Sequence, residues 1–311
     1  SGWIVHQRGS PAPWDFSLTA DKLSVEQASQ WFEGIGDRNA PSFLDRIAGI
    51  GALITGRRPS FHLAGSLDAR GHFSTPLITY RDLSLRDCQA SVDIHDRKVR
   101  VSQVRFEAGG GHGEGNALLN LSKSPVQISG QAAIHGASIR SLGPYLPPAV
   151  RTVRGYYSAG GTFEASGLTH AQLASTLKGV ATVQLENVNL GDFDPVGALA
   201  RHFGMETFAG APQAQVIPRA TAHLDVQDRQ VTLEDFLVDI AGAEFQLHGG
   251  YSFEGPARLL VRADLRGIHQ PWTPVHQGTP GPVSRIADLH FVGTLRNLEV
   301  MPSAQISQTQ P

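Results

Sequence analysis

Apolar and polar residues alternate with a period of two along much of this chain, and one alternating stretch occurs twice. The run Val92-Asp93-Ile94-His95-Asp96-Arg97-Lys98-Val99-Arg100-Val101 returns as Leu224-Asp225-Val226-Gln227-Asp228-Arg229-Gln230-Val231-Thr232-Leu233. In each copy the apolar positions flank a polar Asp-Arg pair, which predicts a β-hairpin with one apolar and one polar face. The offset from Asp93 to Asp225 is 132 residues, and Val104-x-Phe106-x-Ala108 continues the match against Phe236-x-Val238-x-Ile240. Gly110 and Gly242 follow, then another alternating strand and a proline, Pro125 or Pro256, with one residue of slippage. Self-similarity at one period predicts a duplicated architecture.

The same pattern predicts strands at 14–20, 61–63, 77–78, 83–85, 117–121, 126–128, 161–165 and 180–190, and again through 218–300. Between them lie helix signals. Ser24-Val25-Glu26-Gln27 reads as a capping box opening a short helix that ends near Gly34. Phe43, Ile47, Ile50 and Ile54 form a helical stripe behind Ser42. A turn of helix is expected within 138–150, and Thr169 caps a helix expected to stop at Gly179. Asp194-Pro195 opens another, with Gly204 as its stop. Residues 1–60 therefore read as a strand with two short helices, 61–137 as a first β block, 138–217 as connecting helices and strands, 218–300 as a second β block, and 301–311 as a polar tail.

Composition supports a strand-rich chain of short turns. Charged residues are 17% of the 311, with 34 Gly and 19 Pro, and that mixture disfavours an all-helical fold. A net charge of −2 without any basic stripe argues against nucleic acid as a partner. The single cysteine, Cys88, excludes an internal disulfide framework and reads as a small apolar strand residue. No apolar run reaches the eighteen or so residues that span a bilayer. The chain begins at Ser1 and reads as a piece of a longer protein whose targeting or membrane segment lies upstream.

Several chemical signals are weak. Gly109-Gly110-Gly111-His112-Gly113-Glu114-Gly115 lacks the Gly-Lys-Ser/Thr ending of a phosphate loop and reads as a flexible turn or bulge. His95, His112 and His135 have no close ligand spacing, so a metal site would need the fold to gather them. Ser158 fails the nucleophile elbow because Tyr156 occupies the first glycine position. Asp93 and Asp225 are equivalent in the two copies and mark a polar outer face more simply than a hydrolytic pair. Asn120-Leu121-Ser122 matches a glycosylation acceptor by a spacing common by chance. Neither an enzyme nor a cofactor is expected. A polysaccharide-active β-solenoid would need rungs every twenty to thirty residues or so, and the one clear period is far longer.

The order of elements from 161 to 190, Gly-Thr-Phe-Glu-Ala-Ser-Gly, a two-turn helix, Leu177-Lys178-Gly179 and Asn187-Val188-Asn189-Leu190, resembles the C-terminal region of the AsmA family. The opening Trp14-Asp15-Phe16-Ser17-Leu18-Thr19-Ala20-Asp21-Lys22-Leu23 with Trp31-Phe32, and the two hairpin-plus-glycine blocks, are similar to it too. The resemblance implies a mainly β fold, a long curved antiparallel sheet of groove-like β-taco form with a few short capping helices. It further implies a Gram-negative periplasmic protein held in the inner membrane by an N-terminal anchor, serving outer-membrane assembly or phospholipid transport, with envelope proteins as partners. Phospholipid acyl chains would then lie on the apolar face, lined by Val92, Ile94, Val99, Val101 and Phe106 in the first copy. Leu224, Val226, Val231, Leu233 and Val238 are their counterparts in the second. Period-two alternation leaves open whether these residues line a groove or fill a closed scaffold core.

Overall fold

The computed structural model describes residues 1–7, 14–24, 68–80, 83–144, 146, 150–192, 194–195, 216–240, 243–252, 255–264, 286–294 and 297–301. The expected helix at 24–34 lies outside these residues apart from its cap Ser24, which ends a strand, and the helix at 42–54, the strand at 61–63, most of the helix from 195 and the tail lie outside them too. The protein is mainly β. Its strands are β1 (Gly2–His6), β2 (Trp14–Thr19), β3 (Leu23–Ser24), β4 (Ala69–Tyr80), β5 (Leu83–His95), β6 (Lys98–Ala108), β7 (Gly111–Asn120) and β8 (Gln127–Ser138). There follow β9 (Arg154–Ser166), β10 (Lys178–Asn189), β11 (Val216–Gln227), β12 (Gln230–Ile240), β13 (Ala243–Ser252), β14 (Ala257–Asp264), β15 (Ile286–Thr294) and β16 (Asn297–Met301). Hydrogen-bonded neighbours follow chain order from β4 to β16; β2 joins β4 in parallel, carrying β1 with it.

The chain divides into two compact units, residues 1–135 with 160–179, and 136–159 with 180–311. In the first unit, successive strands place Trp14, Ala69, Ile94, Val99, Leu119 and Ile128 opposite one another in a single row. The next row runs Phe16, Gly71, Val92, Val101, Ala117 and Gly130. Side chains of a strand alternate between faces, so these rows share one face, and Asp93, Arg100 and Ser91 belong to the other. Ala69, Ile94 and Val99 are buried, with Trp14, Phe16, Val92 and Val101 packed against them.

In the second unit the apolar rows are Val226, Val231, Tyr251 and Ala257, then Leu224, Leu233, Gly249, Leu259 and Phe291. Beyond them lie Phe236, Leu247, Val261 and Leu289, then Val238, Phe245 and Ala263. In the rows farthest from the β11/β12 turn, Val238, Phe245, Val261 and Ala263 are buried in a cluster that also takes in Ile139, Val153, Val188 and Leu190, with the half-buried Phe236, Leu247 and Leu289 packed against it. Ile139 comes from a 3-10 turn, Ile139–Leu142, where the Arg140 backbone N–H donates to the Ser138 hydroxyl. Leu146 and Val150 pack on the same cluster. The turn of helix expected within 138–150 is thus a cap over one end of this unit's apolar face.

The duplication is visible in the backbone. Asp96, Arg97 and Gln103 have φ of 48°, 58° and 51°, and Asp228, Arg229 and Asp235, each 132 residues later, have 51°, 63° and 46°. Left-handed geometry at both central residues of a two-residue loop is the turn whose twist matches that of the flanking strands. At Gln103 and Asp235 the register shifts, between Val101 and Val104 in one copy and Leu233 and Phe236 in the other. Both are β-bulges. Pairings also transfer by the same offset: Phe106 faces Gly113 as Val238 faces Phe245, and Ala108 faces Gly111 as Ile240 faces Ala243. The copies part company at the next connection. Shifting Leu119↔Ile128 by the offset would pair Tyr251 with Leu260, whereas Tyr251 pairs with Ala257, three residues earlier.

Two expectations need correction. Only Gly109 and Gly110 form the turn of the glycine-rich stretch, with φ of 58° and 80°; Gly111 to Gly115 are part of β7. Gly113 is required there because a Cβ would stand inside the Phe106 ring. Helix α1 (His170–Thr176) has the expected Thr169 cap, with the reciprocal Gln172 bond of a capping box. It ends at Leu177, however, so Gly179 lies in β10 and does not stop the helix.

Candidate functional site

The most extensive feature available for function is the apolar face that each unit carries. All ten lining candidates fall on it: Val92, Ile94, Val99, Val101 and Phe106 in the first unit, Leu224, Val226, Val231, Leu233 and Val238 in the second. Cross-strand partners fix them in matching places, Val92 against Val101 and Ile94 against Val99, Leu224 against Leu233 and Val226 against Val231. Their exposure differs along the strands. Ile94, Val99 and Val238 are buried, at 7%, 9% and 5% exposed; the other seven are half-buried. Each apolar face thus combines residues sealed in by the chain with residues still in partial contact with solvent.

The opposite face is polar. Arg70 Nε donates to Asp93 Oδ2 at 3.3 Å, and Asp93 faces Arg100 across the hairpin. Asp225 faces Thr232 on the corresponding surface of the second unit. Both aspartates therefore occupy the outer positions that the alternation predicts. His112 and His135 stand opposite each other on β7 and β8, with Glu107 opposite His112 on β6. His95 is held elsewhere, by Asp68 at 2.6 Å and Asp96 at 3.1 Å. The fold does not bring the three histidines together, and among the described residues no group of three or more His, Cys, Asp and Glu is placed to hold a metal ion.

Electrostatics mark two of these groups. The hydrogen bond that His95 donates to Asp68, reinforced by the charges of Asp96, Asp68 and Asp93, raises the His95 pKa above its ordinary value. Burial, with the Asp87 charge adding to it, raises that of the Cys88 thiol, which donates to the Arg86 carbonyl at 3.6 Å. A raised thiol pKa means less thiolate and an inert sulfur. Cys88 is a buried strand residue facing Thr75. Ser158 lies within β9 and accepts from the Gly136 backbone N–H at 3.1 Å, as a strand residue does and not as an elbow nucleophile. Asn120 Oδ1 accepts from both the N–H and the hydroxyl of Ser122, an Asx turn at the end of β7.

Alternation alone does not reveal the bulge surface on the polar face of the first unit. The signal is present as a break in phase: Val101 and Val104 are three apart where the pattern demands two, and so are Leu233 and Phe236. Among the described residues no helix is long and apolar enough to cross a membrane. No family model, curated protein or solved structure matches the chain.

Proposed function

We propose that the apolar face of each unit carries phospholipid acyl chains, in a periplasmic protein of the AsmA type that supports outer-membrane assembly or lipid movement between membranes. The observation that carries this reading is the grouping of seven half-buried apolar side chains, Val92, Val101, Phe106, Leu224, Val226, Val231 and Leu233, on faces backed by polar ones. An acyl chain in water is disfavoured by roughly 0.8 kcal/mol per exposed methylene, so such a surface lowers the cost of passage. The envelope setting follows from the sequence resemblance. The buried residues Ile94, Val99 and Val238 would then serve as the floor beneath the lipid, with no direct lipid contact.

A second reading is favoured by the second unit's buried cluster. Val238, Ile240 and Phe245 are sealed to about the level of an ordinary protein interior, which suits a closed scaffold that meets other envelope proteins through its edges and loops. The two readings separate in one experiment. A photo-crosslinking residue at Val101 or at Leu233, activated in cells and followed by mass spectrometry of the adducts, should capture phospholipid at both positions if the faces carry acyl chains. Adducts formed only with the protein itself would leave the scaffold.

A further inference from the structure

The bulge at Gln103 sits on the face opposite the apolar rows, and it opens a shallow pocket of about 290 Å³ bounded by His72, Ser74, Gln89, Ser91, Gln103 and Arg105. Its origin is local. Gln89 pairs with Arg105 and Ser91 with Ser102, so two residues of β6, Gln103 and Val104, stand against the single Ala90 of β5. The extra residue takes the left-handed conformation and places its amide among the side chains of β4 and β5.

Counting donors and acceptors shows what the pocket suits. The Ser91 hydroxyl donates its one proton to Gln103 Oε1 at 2.9 Å. Its 3.3 Å contact with His72 Nδ1 must then be made by the ring N–H donating to Ser91 Oγ. The chain His72 to Ser91 to Gln103 consumes the amide oxygen of Gln103 and leaves both N–H groups of its Nε2 without a partner among the described residues. Arg105 adds five N–H donors. Glu114 stands opposite it on β7, and no carboxylate lines the pocket. We infer that this pocket binds a small oxyanion of the phosphate type, held by the Arg105 guanidinium fork and the Gln103 amide. The second copy keeps the bulge but has Asp235 and Leu237 in place of Gln103 and Arg105, and His223 in place of Ser91. The recognition chemistry is therefore confined to the first copy. It lies apart from the acyl-chain surface and does not depend on it.

The test is a titration of the whole chain with inorganic phosphate, followed by the side-chain Nε–H resonance of Arg105 and the amide of Gln103, and by calorimetry. Saturable shifts at both groups are expected. Arg105→Gln should weaken binding by about tenfold or more, the loss of a charge-assisted hydrogen-bond pair. Gln103→Asp, which preserves the bulge and installs the second copy's residue, should abolish it. A parallel titration with a short-chain phosphatidylglycerol below its micelle concentration identifies the source of the phosphate. An equal response to both ligands assigns the site to the phosphate group, and a response to the lipid alone assigns it to a lipid headgroup. No shift with either ligand, or an unchanged affinity in Arg105→Gln, would overturn the assignment.

Discussion

The two hairpin blocks share backbone, bulge and register, yet they fill the same lattice with different residues. Where the first copy sets Phe106 against Gly113, the second sets Val238 against Phe245; the aromatic ring has crossed to the neighbouring strand while the pair remains one large and one smaller residue. Elsewhere the second copy is bulkier, with Phe236 against Leu247 in place of Val104 against Gly115, and Ile240 against Ala243 in place of Ala108 against Gly111. The larger side chains coincide with the larger buried cluster. Backbone hydrogen bonding thus specifies the sheet, and side-chain volume decides how much of its apolar face is sealed.

The largest expected effect tests that difference directly. Phe245→Ala should destabilise the protein by about 3–5 kcal/mol, because a buried ring leaves a cavity, whereas Phe106→Ala should cost less because Phe106 is half-buried. Equal losses in urea denaturation would break the contrast. A subtler test moves the ring. Gly113→Phe alone should overpack against Phe106 and cost about 1–3 kcal/mol. Adding Phe106→Val reproduces the second copy's arrangement and should recover most of the loss, read as a coupling energy in a double-mutant cycle. If the double variant is no better than the single, the two lattices are not interchangeable.

Smaller effects come from the turns. Arg97 and Arg229 hold left-handed φ that glycine adopts without steric cost, so Arg97→Gly should relieve part of the roughly 1–2 kcal/mol that a Cβ incurs there and stabilise the first hairpin. The loss of the Arg97 Nη2 bond to the Leu121 carbonyl at 3.3 Å offsets part of this gain. A fall in melting temperature would show that bond to dominate. The smallest effect concerns pH. His95 is aligned with Gln227 in the second copy, and its pKa is raised by Asp68 first and Asp96 next. A raised folded-state pKa means that its contribution is complete below the ordinary value near 6.5 and is lost as pH climbs through the raised value. His95→Gln should therefore flatten a slight decline in melting temperature above pH 6.5. Because the His95 side chain is exposed, added salt should shrink the same slope.

Much of this architecture was legible because alternation encodes which face a residue takes. The shared face of the ten apolar positions within each unit, the opposite face of Asp93 and Asp225 and the Thr169 cap all follow from local rules. What escaped did so for identifiable reasons. Gly111, Gly113 and Gly115 have no intrinsic strand preference, and the ring of Phe106 across the ladder explains Gly113. Gly179 followed a helix and mimicked a terminator, yet the chain had already entered β10. The bulge pocket depends on a one-residue slip in phase, readable at Val101 and Val104, but its lining comes from three strands that no local pattern connects. The parallel partnership of β2 and β4 likewise has no signature in either strand.

That parallel contact has a kinetic consequence. From β4 to β8 each strand bonds to its neighbour in sequence through a short turn, so structure can spread hairpin by hairpin with little chain entropy lost at each step. Pairing Trp14 with Ala69 instead closes a loop of more than fifty residues before any of its bonds form. The β1–β2 ribbon should be the last part of its unit to dock and the first to exchange its amide protons. The opening residues would then act as a late latch on a sheet that assembles without them.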